Sequence, residues 1–92
     1  MTATIQIPTA LRGFTDRKQE IEVEGQTVGE AINALADRYP DLRRHLYQGK
    51  ELRPFINVFI GETNIKKLEG LDTKLPDNAT LMLVPAIAGG IK

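Results

Sequence analysis

The stretch Gln19-Glu20-Ile21-Glu22-Val23-Glu24-Gly25-Gln26-Thr27-Val28-Gly29-Glu30-Ala31-Ile32-Asn33-Ala34-Leu35-Ala36-Asp37-Arg38-Tyr39 changes its hydrophobic period midway. In its first part Ile21 and Val23 alternate with Glu20, Glu22 and Glu24, the two-residue period of a strand with one face buried and one in water. After Gly25-Gln26, the residues Thr27-Val28-Gly29-Glu30 have the Thr-x-x-Glu form of a capping box. There the Thr27 hydroxyl and the Glu30 carboxylate can each accept from a backbone N–H that the first helical turn leaves without a partner. Val28, Ala31, Ile32, Leu35, Ala36 and Tyr39 then follow at spacings of three and four, which gathers them on one helix face. Pro40 disfavours helical backbone in the residue before it and ends the helix near Tyr39. A half-buried strand followed directly by an amphipathic helix predicts an α+β domain, with the helix stripe laid on one face of a sheet.

Working outward, Thr2 to Ile7 alternates with Ala3, Ile5 and Ile7 on one side, and Pro8 closes it; paired with residues 19–24 it makes a hairpin. Pro40 stands at a first helical position, with Leu42 and Leu46 one turn apart, so a short second helix is predicted up to about Gly49. Phe55-Ile56-Asn57-Val58-Phe59-Ile60 is rich in β-branched and aromatic residues and reads as a strand, with Ile56, Val58 and Ile60 on one face and Phe55 and Phe59 on the other. Gly61-Glu62 leads to a short strand around Thr63-Asn64-Ile65. Pro76-Asp77-Asn78 is a turn before the last strand, Thr80 to Val84, which Pro85 ends. Residues 86–92 carry small side chains and two glycines that disfavour regular structure, so the chain divides into a domain over 1–85 and a flexible tail over 86–92.

Composition narrows the function classes. Ninety-two residues make one modest core, and twelve Lys and Arg balance twelve Asp and Glu, so no net field exists to hold a nucleic acid or an anionic membrane. No cysteine is present, which removes disulfides, cysteine-ligated clusters and thiol catalysis. Neither a signal peptide nor a membrane-length apolar run is read, and the expected place is the cytoplasm. No Ser/His/Asp set or phosphate loop stands in the sequence, so intrinsic catalysis and a bound cofactor or metal are not expected. His45 stands alone and reads as a surface residue, and Glu20, Glu22 and Glu24 as the protected outer face of a strand. Arg12, Arg17, Lys18, Arg43, Arg44, Lys50 and Arg53 offer basic patches, for which solvated charge is the favoured reading.

The order of elements and the ending Leu83-Val84-Pro85-Ala86-Ile87-Ala88-Gly89-Gly90 resemble the ThiS/MoaD family of ubiquitin-like sulfur carriers, nearest the branch that serves cysteine synthesis. The resemblance also rests on Thr4-Ile5-Gln6-Ile7-Pro8, Thr27-Val28-Gly29-Glu30 and Phe55-Ile56-Asn57-Val58, and covers nearly the whole chain. It implies a β-grasp fold: a mixed sheet of four to five strands, the first and last parallel and central, one main helix across one face and a short second helix. It also implies that the chain is a cosubstrate and no enzyme. A partner adenylating, E1-like enzyme would spend ATP on the carboxylate of Gly90, and a sulfur source would convert it to a thiocarboxylate for a sulfur-accepting biosynthetic enzyme, in a cysteine, molybdopterin or thiamine pathway.

Physical chemistry supports two glycines at that position. A carboxylate becomes an acyl donor only once its oxygen is a good leaving group, and it must meet its nucleophile inside another protein's water-poor site. Ala88, Gly89 and Gly90 make a slim tail for such a tunnel. Fully extended, residues 86–90 reach at most about 17 Å beyond the last strand. Ile91 and Lys92 depart from the family pattern, because Gly90 is then in a peptide bond. The reading taken is a precursor, cut between Gly90 and Ile91 by a metalloprotease. Phe55, Phe59, Met82 and Val84 are the candidate docking residues for the activating enzyme, Met82 and Val84 being nearest the tail. The free protein is expected to be a monomer. Two alternatives stay open: a ubiquitin-like modifier joined to lysines through Gly90, and a subunit that inserts its tail into a larger enzyme without being acylated.

Overall fold

A computed structural model of the protein describes residues 2–49 and 51–85. β1 (Thr2–Gln6) and β2 (Glu20–Glu24) form the expected antiparallel hairpin, with Ile5 opposite Ile21 and Ala3 opposite Val23. The connection between them is a 3-10 turn, Thr9–Phe14, that buries Leu11, followed by a loop folded around the fully buried Thr15. The Thr15 hydroxyl oxygen lies 3.2 Å from the carbonyl of Lys18 and 3.4 Å from that of Arg12, so the polar group is satisfied inside.

Helix α1 spans Val28–Arg38, and its start is tied from two sides. The Glu30 N–H donates to the Thr27 hydroxyl at 3.2 Å, as the capping box requires, while the Glu30 carboxylate accepts from Gln26 N–H at 2.8 Å, one residue earlier than the motif's usual partner. Val28 N–H donates to the carbonyl of Thr73 and Leu75 N–H to the carbonyl of Gln26, each at 2.9 Å, so residues 73–75 lie as an extended strap across the helix entry. Gly29 permits this approach, since a Cβ there would sit 3.1 Å from the carbonyl oxygen of Leu71. Val28, Ala31, Ile32, Leu35 and Ala36 are all buried, the face read from the sequence.

Helix α2 (Pro40–Leu46) buries Leu42 and Leu46 and stops three residues before Gly49. The chain leaves it directly into β3 (Tyr47–Gln48), which pairs with β4 (Glu51–Leu52), a two-residue ladder with no period for a sequence to display. β5 (Ile56–Ile60), β6 (Thr63–Asn64) and β7 (Ala79–Pro85) complete the structure, with short 3-10 turns at Ile65–Lys67 and Gly70–Asp72. The main sheet has five strands in the order β2-β1-β7-β5-β6. β1 and β7 are parallel, with Ile5 beside Leu81, and every other pairing in this sheet is antiparallel. This is the β-grasp arrangement. Ile5, Ile7, Ile21, Val23, Val58, Leu81 and Leu83 from the inner face meet the α1 stripe and the α2 leucines in one core. Each fully buried Leu, Ile or Val contributes about 1.5–3 kcal/mol.

The remaining edge of β2 is guarded. Glu20, Glu22 and Glu24 project to solvent, and Arg38 reaches from α1 to donate to the carbonyl of Glu22 at 3.1 Å. On the other side of α1, Arg43 bridges Asp37 and the Asn33 side chain, with its guanidinium 5.5 Å from the centre of the Tyr47 ring. Burial raises the pKa of Tyr47 above 10.0 and Asp37 adds to the rise, while Arg43 opposes both. The folded state therefore holds this proton at a pH where the unfolded chain has lost it, so the stability it contributes is complete below pH 10.0 and falls as pH rises past it. Tyr47→Phe should lose less stability than the parent between about pH 9 and 11, measured by the denaturant midpoint. Equal losses in the two proteins would refute the assignment.

Candidate functional site

Parallel pairing brings the C-terminal ends of β1 and β7 to the same end of the sheet, and β5 begins there, with Ile56 opposite Pro85. Three connections therefore meet where β7 leaves the described residues: Pro8 after β1, the turn before β5, and Pro85 itself. On the outer face, away from the helices, the registers align Glu20, Gln6, Met82, Phe59 and Asn64 in one row across all five strands. Val84 lies one step further along β7, opposite Asn57. Met82 is 41% exposed, and among the described residues it and Leu68 are the exposed large apolar side chains. Inner-face neighbours Leu81 and Leu83 are buried, so the alternation along β7 assigns one face to stability and leaves the other for contact.

A shallow groove of about 310 Å³ runs beside β7 at this end, lined by Gln6, Pro8, Arg12, Met82, Val84 and Pro85 among others. Of its apolar contributors, Pro8, Val84 and Pro85 are half-buried and Met82 is exposed, and Gln6 donates to the Glu20 carboxylate at 3.4 Å. Arg12 is placed by the 3-10 turn after Pro8, and its Nε–H donates to the carbonyl of Ile7 at 3.0 Å.

Of the docking residues expected from the sequence, Phe59, Met82 and Val84 do share the outer face, with Phe59 directly opposite Met82. Phe55 does not join them. Pro54 occupies a turn closed by Ile56 N–H on the carbonyl of Arg53 at 3.0 Å, so the strand begins one residue late and the Phe55 ring packs against the core cluster. Counting by twos from Phe59 fails at Phe55 because the alternation holds only within the extended strand. Ala88, Gly89, Gly90 and Ile91 lie outside the described residues. Gln6, Pro8 and Arg12 were not read as site residues; the available signal was the position of Arg12 just after the first strand, at the tail end once β1 and β7 are parallel.

The basic side chains divide into distinct groups. Arg43 pairs with Asp37, Arg44 with Asp41 at 3.3 Å, and Arg53 Nε–H donates to the carbonyl of Arg44 at 2.9 Å. Arg12 pairs with no carboxylate among the described residues. His45 is exposed and stacks on Phe14 with ring centres 4.2 Å apart. Among the described residues no group of three His, Asp or Glu could hold a metal, and no helix is long and apolar enough to cross a membrane.

A mixed five-stranded sheet with a parallel central pair, a helix across one face and a central last strand with apolar side chains on its outer face defines a ubiquitin-like β-grasp protein. The sequence model of the ThiS family matches residues 5–90, and the chain belongs to that family. Sulfur carrier protein CysO of Mycobacterium tuberculosis is 29% identical over 93 residues, covering 98% of this chain and 100% of that one. A chain in the crystal structure of the Amycolatopsis orientalis BexX/CysO complex superposes with a TM-score of 0.87 at 34% identity, covering 96% of this chain and 99% of that one. The small archaeal modifier protein 1 of Methanosarcina acetivorans superposes with a TM-score of 0.84 at 29% identity, covering 97% and 96%.

Proposed function

We propose that the protein is a sulfur carrier that acts as a cosubstrate through Gly90. The observation that carries this reading is the continuity of family match and geometry: the match extends through Gly89-Gly90, and β7, the strand that precedes them in the chain, is central in the sheet and sets Met82 and Val84 on the outer face with Phe59 opposite Met82. A partner that grips the outer face then finds the C-terminal segment starting from a known place. Similarity to the CysO proteins supports the assignment to sulfur carriage and to work alongside partner enzymes.

The chemistry proceeds on the partner. A metalloprotease hydrolyses the Gly90–Ile91 peptide bond and exposes the Gly90 carboxylate. One carboxylate oxygen attacks the α-phosphorus of ATP bound to an adenylating enzyme, pyrophosphate leaves, and Gly90 becomes an acyl adenylate. A hydrosulfide equivalent adds to that carbonyl carbon, the bond to AMP breaks, and Gly90 is left as a thiocarboxylate for a sulfur-accepting biosynthetic enzyme. This chain supplies only the acyl group and the surface by which it is recognised.

Likeness to the archaeal modifier supports a second reading, in which the same activated Gly90 is joined to lysines of other proteins. Intact-mass and peptide mapping of the protein's native host under sulfur demand separates the two. The carrier reading expects a form ending at Gly90 with one oxygen exchanged for sulfur and no Gly-Gly remnants on target lysines. Remnants on lysines without the thiocarboxylate would replace it with the modifier reading.

A further inference from the structure

The basic residues seen in the sequence as general surface charge do not behave alike, and one of them, Arg12, stands in the groove beside β7. Arg43 and Arg44 pair with Asp37 and Asp41, whereas Arg12, Arg38 and Arg53 each donate to one backbone carbonyl, that of Ile7, Glu22 and Arg44 respectively, and of these three Arg12 alone lines the groove. Arg12 is half-buried, its Nε–H is fixed on the carbonyl of Ile7, and its terminal NH2 groups have no carboxylate partner among the described residues. Glu20, the carboxylate that shares the adjoining surface, accepts instead from Gln6. Arg17 and Lys18 extend from the same loop and are exposed. A guanidinium with a fixed plane, set against the aliphatic surface of Met82, Val84 and Pro85, is built for a bidentate carboxylate beside an aliphatic contact.

We propose that this groove docks an acidic, aliphatic segment on the surface of the adenylating enzyme, with Arg12 pairing a partner carboxylate while Met82, Val84 and Pro85 take the aliphatic side chain next to it. The proposal rests on the carrier reading and adds the chemistry of the partner's surface to it. Charge complementarity selects this occupant: an uncharged apolar segment would bury Arg12 without a partner for its charge, and a basic one would be repelled. Arg12 is a positioning residue, acting through the orientation of the docked pair and not on the reacting carbonyl.

The test uses the chain ending at Gly90 and the host's adenylating enzyme, reading the KM for the carrier and kcat in ATP–pyrophosphate exchange, and the Kd by calorimetry without ATP. Arg12→Gln should raise KM and Kd by about tenfold or more and leave kcat within about twofold, with a shallower dependence of Kd on salt. Arg12→Lys should recover a large part of the affinity, which separates lost charge from a disturbed loop. Arg17→Gln and Lys18→Gln should each change Kd by less than about threefold. Wild-type KM, Kd and salt dependence in Arg12→Gln would overturn the proposal while leaving the carrier reading in place. If the enzyme binds the chain but does not adenylate it, the carrier reading falls and the Kd of Arg12→Gln still decides the docking. An enzyme that neither binds nor adenylates the wild-type chain would remove both.

Discussion

A chain that ends at Gly90 is expected to be converted to its thiocarboxylate by the adenylating enzyme, ATP and a sulfur donor, whereas the chain retaining Ile91 and Lys92 is expected to yield none. The difference is one of kind. In the longer chain the Gly90 carbonyl is an amide, stabilised by resonance with the Ile91 nitrogen, and it has no anionic oxygen to attack phosphorus. Nor, on the proposed mechanism, would two further side chains follow Gly90 into a partner's active site without displacing the acyl carbon. Gly90→Ala on the shortened chain tests that second point separately. It keeps the carboxylate but adds a Cβ next to the reacting centre, and a displacement of about 1 Å there is expected to lower kcat/KM by about a hundredfold. Intact-mass analysis of the reaction reads both effects, since sulfur replaces a single oxygen. Thiocarboxylate formation on the untrimmed chain would show that activation occurs elsewhere and would end the assignment of Gly90.

The strands were legible because each carries its own period. Ile21 and Val23 among glutamates, Ala3, Ile5 and Ile7 among polar residues, and Leu81 and Leu83 beside Met82 all have the burial that alternation predicts. The main helix was equally legible from Thr27, which caps it, and from Pro40, which starts the next one. What escaped was structure too short to repeat. The β3-β4 ladder and the three 3-10 turns involve six residues or fewer each, and they are set by tertiary contacts such as the approach of Leu71 to Gly29. Phe55 was misplaced for a related reason, because Pro54 turns the chain just before the alternation begins.

The candidate site was legible in part, on β7 and at Phe59 of β5. Met82 and Val84 could be read as an outward pair, but the groove also needs Gln6, Pro8 and Arg12, which stand far away in sequence. Their meeting depends on β7 lying parallel to β1, and no local pattern in either segment encodes the direction of pairing. The resemblance supplied that direction; the residues themselves did not. Gly89 and Gly90 are argued from the sequence, the family match and tail chemistry alone.

Adjacent residues of β7 should respond in opposite ways to the same truncation. Leu81 is fully buried between Ile5 on β1 and Ile60 on β5, at the centre of the sheet and under the helices, so Leu81→Ala leaves a cavity that rigid strands on both sides cannot close. The expected cost is about 2–5 kcal/mol. For a domain of this size that corresponds to a fall in thermal midpoint of roughly 10–30 °C, while binding of the adenylating enzyme, measured well below the midpoint, stays near wild type. Met82 removes less surface from water and faces outward against Phe59, so Met82→Ala should change stability by less than about 1 kcal/mol. Its effect should appear instead as about a tenfold weaker Kd for the enzyme, because an exposed thioether at the centre of an apolar patch becomes buried only in the complex. A Met82→Ala protein with unchanged Kd would move the docking surface off the outer face. A Leu81→Ala protein that kept its midpoint would show that β7 is less central to the core than its pairing requires. Taken together, the two variants test whether β7 serves stability through Leu81 and Leu83 and recognition through Met82 and Val84, a division that lets one strand of so small a domain do both.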